Sequence, residues 1–117
     1  MLTAKDVITM PKKGFCFVAV AYGGEASIPN FEKADTFWAY YLSKNKILRR
    51  ELLSLYPGTN DERIAKFVDS SFDVVIARNF GAKAIARLKE AGLRLYTFDG
   101  GCDMAVKSML GDELTEL

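Results

Sequence analysis

A chain of 117 residues can bury one ordinary core but not two, so the sequence predicts one domain at 14–117 behind a short N-terminal extension at 1–13. Half of the residues are apolar and 26% are charged, a balance that excludes a disordered or collagen-like chain. Sixteen Lys and Arg against fifteen Asp and Glu leave a net charge of +1, so no global field draws the chain to nucleic acid or to an anionic membrane.

The elements follow in chain order. Met1 to Lys13 mixes charges with a few apolar residues and ends in Pro11-Lys12-Lys13, a mobile lead-in or a weak edge strand. Phe15 to Tyr22 is apolar at every position, as in a central strand covered on both faces, and Gly23-Gly24 stops it. This run is far too short to span a bilayer, and the charges among the first ten residues argue against a signal peptide. A loop from Gly23 to Asp35 leads to an aromatic-rich second strand, Thr36 to Leu42. The polar tract Ser43-Lys44-Asn45-Lys46 then makes a hairpin turn into a third strand, Ile47 to Leu55, which Pro57-Gly58 breaks.

Thr59 and Glu62 have capping-box spacing ahead of Ile64, Phe67 and Val68, which predicts a helix from Asn60 to Ser70. Asp73 to Ala77 is a short β-branched strand, and Ala82 to Ala91 is a helix closed by Gly92. Leu93 to Phe98 is the fifth strand, and a last helix follows Asp99-Gly100-Gly101-Cys102 with Ala105, Val106, Met109 and Leu110 facing inward. The order βββαβαβα gives an α/β fold with a mixed five-stranded sheet, in which the βα units pair in parallel and the hairpin runs antiparallel.

The strings Asp73-Val74-Val75-Ile76-Ala77-Arg78-Asn79-Phe80-Gly81-Ala82-Lys83-Ala84 and Leu88-Lys89-Glu90-Ala91-Gly92-Leu93-Arg94-Leu95-Tyr96 resemble the strand, glycine turn, helix and strand of the dinitrogenase iron-molybdenum cofactor biosynthesis family. Ala105 to Leu114 is similar to that family's closing helix. Asn30-Phe31-Glu32-Lys33-Ala34-Asp35 is similar to its histidine-phenylalanine-glycine-arginine-alanine segment. There Asn30 replaces the histidine associated with contact to an iron-containing cluster, and Glu32 and Lys33 replace the glycine and arginine. The resemblance implies a ribonuclease H-like fold with strand order 3-2-1-4-5 and helices on both faces. It also implies a cytoplasmic, non-enzymatic carrier or chaperone of an iron-sulfur or iron-molybdenum type cluster, in a family related to nitrogen fixation. Its partners would be the metallocluster or a small anion and a cofactor-assembly or acceptor protein. The alternative is a protein-interaction or regulatory module of the same fold that has lost cluster binding. An enzyme acting on a small anion is a third reading.

In such a sheet ligands bind outside the carboxyl ends of the strands where the connection order reverses. Three segments would meet there: the loop with Asn30 and Lys33, the turn Arg78-Asn79-Phe80-Gly81, and Asp99-Gly100-Gly101-Cys102. The two turns enter helix N-termini, whose N–H groups favour anions and thiolates. Cys102 is therefore the expected soft-metal ligand. Asn30, Lys33, Arg78, Asn79, Gly81 and Gly101 are the expected cofactor contacts, with Lys33 and Arg78 as solvated surface charges in the plainer reading. The chain has no histidine, which removes the commonest general base and metal-binding nitrogen. Two cysteines make no disulfide framework and suit a reducing cytoplasm, and Cys16 reads as core with no charged neighbour in sequence. No acid lies between Gly14 and Gly24, so the carboxylate cluster of a two-metal nuclease is not expected. The aromatics Phe37, Trp38, Tyr40 and Tyr41 have the period of a sheet face rather than of a base-stacking platform.

Overall fold

A computed structural model describes residues 15–23, 27–44, 46–54 and 59–117. The 1–13 extension, Gly24, Asn45, Leu55 and the Pro57-Gly58 break lie outside the described residues. Five strands, β1 (Phe15–Tyr22), β2 (Thr36–Ser43), β3 (Lys46–Ser54), β4 (Val74–Ala77) and β5 (Arg94–Thr97), form one sheet of order β3-β2-β1-β4-β5. Three helices, α1 (Asn60–Val68), α2 (Ala82–Glu90) and α3 (Cys102–Leu110), complete the βββαβαβα order, with a single 3-10 turn at Phe31–Lys33 inside the first loop. β1 is central, antiparallel to β2 and parallel to β4, and Val18 to Ala21 are fully buried.

Alternation along β2 sends its side chains to two different helical layers. Phe37 packs edge-on against Phe67 of α1 at 4.8 Å, with Phe31 beside both. Tyr40, three positions on, points to the other face and donates its hydroxyl to Asp103 of α3 at 2.6 Å. Helices therefore cover both faces, with α2 joined to α1 by the Lys83–Asp61 ion pair at 2.6 Å.

Local chemistry sets the ends. The Thr59–Glu62 capping box is formed in both directions. Ser70 falls beyond α1 because Asp69 caps it, and the Ser70 hydroxyl donates to the Phe67 carbonyl at 2.6 Å. Gly92 takes φ +94 after α2, and the Gly92 and Leu93 amides bond back to Lys89 and Leu88, a Schellman close with Leu88 and Leu93 both buried. The last helix does not reach Leu114. It ends at Leu110 because Asp112 takes φ 59 and the Asp112 and Glu113 amides close on Met109 and Ser108. The chain then returns along β5, where Leu117 N–H meets the Leu95 carbonyl at 2.8 Å.

Candidate functional site

The three predicted segments do meet at the carboxyl ends of β1, β4 and β5, tied by backbone bonds. Ile28 N–H reaches the Gly100 carbonyl at 2.8 Å, Arg78 N–H the Pro29 carbonyl at 3.0 Å, and Phe31 N–H the Asn79 carbonyl at 2.9 Å. Gly100 must be glycine here: its φ is +154, and an added Cβ would lie 2.7 Å from the Phe98 ring.

The predicted site residues divide into two groups. Asn30, Lys33, Arg78, Asn79 and Gly81 form a rim toward α2, where Asn79 Nδ2 lies 3.5 Å from Asn30 Oδ1 and exposed Arg78 lies 4.0 Å from Asp99. The expected anion site at the start of α2 is already filled from within the chain, because Gly81 N–H donates to Glu32 Oε2 at 2.8 Å. Glu32 thus acts as a remote cap for α2. Behind it, Arg63 is buried on the apolar side of α1, donates to the Ala34 carbonyl at 2.7 Å and reaches Asp35 at 3.2 Å. This holds the 31–35 segment against the helix.

Gly101 and Cys102 belong to the other group. They open onto a surface cleft of about 310 Å³ on the α3 face, lined also by Tyr22, Trp38, Arg50, Asp103 and Met104. Gly101 has no side chain to cap with, and among the described residues no side chain accepts from the first amides of α3 as Glu32 accepts from Gly81. Asp103 Oδ1 accepts from Tyr40 at 2.6 Å and from Arg50 at 3.1 Å, and the Arg50 guanidinium stacks 4.4 Å over the Trp38 ring. Burial, and then the Asp103 carboxylate that accepts its bond, push the Tyr40 hydroxyl well above the ordinary phenol range, so it stays a proton donor.

The thiolate expected at Cys102 is corrected by its surroundings. Burial first and the Asp103 charge second push the thiol up to about 11, against a smaller opposing pull from Arg50. Cys102 Sγ lies 3.4 Å from the Ala21 carbonyl, as a thiol donating to it. Cys16 packs against the core without being fully buried, and the Arg94 guanidinium lies 4.0 Å from its sulfur. Among the described residues no cluster of three or more His, Cys, Asp or Glu can hold a metal ion, and no helix is long and apolar enough to cross a membrane.

Sequence reasoning missed Trp38, Arg50 and Met104 as cleft residues, and Glu32 and Arg63 as the pieces that seal the rim. Arg63 left a trace, since it shares the helical stripe of Ile64 and Phe67. Glu32 and Arg50 left none, because their partners are 49 and 53 residues away.

Solved structures share this architecture. The chain is similar to a candidate dinitrogenase from Methanocaldococcus jannaschii (TM-score 0.71, 14% identity, 89% of this chain and 95% of that one). It is similar to the apo form of the orange protein from Desulfovibrio gigas (TM-score 0.68, 20% identity, 86% and 92%). It is also similar to a candidate NifB protein from Thermotoga, described as a member of the DUF35 family (TM-score 0.67, 25% identity, 87% and 93%). No curated protein sequence matches the chain. The family model for dinitrogenase iron-molybdenum cofactor proteins matches residues 15–111, and the chain belongs to that family.

Proposed function

We propose that this protein is a non-enzymatic carrier that binds a metallocluster of iron-sulfur or iron-molybdenum type as cargo, at the cleft beside Cys102. Membership of the iron-molybdenum cofactor family supports a role in cofactor biosynthesis or binding. The observation that carries the finer reading is the cleft itself. It brings together the chain's half-buried thiol at a helix start, the Arg50 cation and an aromatic wall, next to the carboxyl end of the central strand.

The donor set limits how cargo is held. With no histidine and no cluster of ligating side chains among the described residues, the soft donors there are the Cys102 thiol and the Met104 thioether, too few for a full protein cage. An anionic cluster that brings its own sulfide ligands suits such a place, because it needs charge, N–H donors and shape more than a full protein cage. The N–H groups at the start of α3 supply positive potential, Arg50 offsets the Asp103 carboxylate to which it is paired at 3.1 Å, and Trp38 and Tyr22 supply the wall. On this reading Arg78, Lys33, Asn30, Asn79 and Gly81 form the rim that a cofactor-assembly or acceptor protein would approach. The ribonuclease H-like label and a cytoplasmic setting belong to the same proposal.

Anaerobic titration with a cluster donor, followed by metal and sulfide analysis, tests it. The parent protein is expected to retain cluster. Cys102→Ser is expected to lose retention while staying folded, since a serine hydroxyl can donate to the Ala21 carbonyl as the thiol does. A Cys102→Ser variant that retains cluster like the parent overturns the assignment to this cleft. A parent that binds none overturns the carrier reading in favour of an interaction module.

A further inference from the structure

The outer edge of β3 carries no partner strand among the described residues, yet it is nine residues long and exposes Leu48 (60%) and Leu52 (56%) to solvent. Long apolar edges are a hazard that soluble proteins blunt or cover. The sequence of this one, Lys46-Ile47-Leu48-Arg49-Arg50-Glu51-Leu52-Leu53-Ser54, has a centre of pseudo-symmetry at Arg50. Apolar pairs stand at both ends, with a positive residue just before the centre and a negative one just after.

We infer that β3 pairs antiparallel with β3 of a second copy of this chain about a two-fold axis at Arg50, giving a continuous ten-stranded sheet. Two-fold pairing of identical edges requires facing residues whose backbone groups both point outward, so only registers centred on a residue are open. Centred on Arg50, Arg49 faces Glu51 of the second copy in two symmetric pairs, and Leu48, where β3 bulges, lies against Leu52. Moving the centre to Arg49 sets Arg50 against Leu48 and Leu52 against Lys46. Moving it to Glu51 sets Arg50 against Leu52 and Arg49 against Leu53. Only the first register matches unlike charges and apolar residues together.

The one like-charge pair it creates, Arg50 with itself, is eased inside each copy: Arg50 is bonded to Asp103 at 3.1 Å and lies on Trp38. The irregularity in the β2–β3 ladder falls at Leu48 of β3, since Tyr41 pairs with Arg49 and Leu42 with Ile47, so the regular part of the strand runs from Arg49 to Ser54 and holds both charged residues of the register. Because the closed two-fold uses up the β3 edge of both copies, this interface joins two copies and no more. An axis perpendicular to the sheet keeps both α3 helices on the same side, so the two Cys102 clefts flank it. The inference does not depend on what those clefts bind.

Sedimentation velocity over a concentration series tests it with charge reversals. The parent should be a dimer. Glu51→Arg and Arg49→Glu should each weaken it roughly 10- to 30-fold, since each replaces two attractive cross-strand pairs by two repulsive ones. Combining both reversals should restore the dimer. Circular dichroism checks that the single variants are folded, and both positions are exposed enough to accept the change. A parent that is monomeric at all concentrations overturns the inference. So do folded single variants that dimerise like the parent, or a double variant that stays as weak as the singles.

Discussion

The two helix starts beside the central strand present the same backbone chemistry and end in opposite conditions. At α2 the N–H of Gly81 is taken by Glu32, and the loop carrying Glu32 is held by buried Arg63 against a cluster of Phe31, Phe37 and Phe67. At α3 no side chain among the described residues caps Gly101, and the Cys102 thiol opens onto a cleft whose far wall is the exposed hairpin. A helix N-terminus is thus not a site by virtue of its dipole alone. What decides is where the chain's own carboxylates are turned: Glu32 onto the Gly81 amide, and Asp103, in the first turn of α3, onto Tyr40 and Arg50. The closed side holds the packed rings of Phe31, Phe37 and Phe67, and the open side leaves a surface cleft.

The largest test of that contrast removes one side chain from each face. Phe67→Ala should cost about 3–5 kcal/mol, because Phe67 is fully buried and meets three other rings. Met104→Ala, on the cleft wall and 57% exposed, should stay within about 0.5 kcal/mol of the parent. Urea unfolding of both variants measures the difference. Comparable losses would mean that the open face is packed as firmly as the closed one.

A smaller effect isolates the cap. Glu32→Ala should destabilise the fold by about 1 kcal/mol, the usual worth of a helix-start acceptor, and should speed hydrogen exchange at the Gly81 amide. Glu32→Gln, which keeps an acceptor and drops the charge, should fall between. Unchanged exchange at Gly81 in the alanine variant would show that the carboxylate is not what fills the start of α2.

How far this contrast could be read from the sequence depended on range. The unbroken apolar run of Phe15 to Tyr22 announced a central strand. Thr59 with Glu62, and Gly92 after an apolar stripe, marked helix ends through contacts only a few residues long. Convergence of the three loops followed from the βα order, since parallel strands carry their turns to one end of the sheet. None of that says which side chains finish a site. Period-two alternation shows that Trp38 and Tyr40 share a face but not that α3 lies over it. Arg50 reads as an ordinary edge-strand charge until Asp103 is brought to it from 53 residues away. Cys102 was located correctly at a helix start, but its protonation was read from the dipole alone, without the burial and the neighbouring Asp103 that outweigh it.

That last disagreement gives the subtlest measurement. A thiol raised from an ordinary 9.0 to about 11 is held in its protonated form more tightly when folded than when unfolded. Cys102 therefore contributes stability that is fully present below about pH 9 and is lost as pH rises through about 11, where the folded thiol also ionises. Comparing unfolding of the parent and Cys102→Ser across that window isolates the contribution, which is modest because the group is only half-buried. Alkylation reports the same ionisation directly, since the thiolate is the nucleophile. Reactivity of Cys102 in a Cys16→Ser background should be low at neutral pH and keep climbing past pH 9. Asp103→Asn should bring the inflection down by removing a negative neighbour, and Arg50→Gln should move it further up by removing the opposing cation. If Cys102 alkylates at pH 7 faster than an unhindered free thiol, the dipole of α3 prevails over burial, and the open helix start presents a thiolate rather than a thiol.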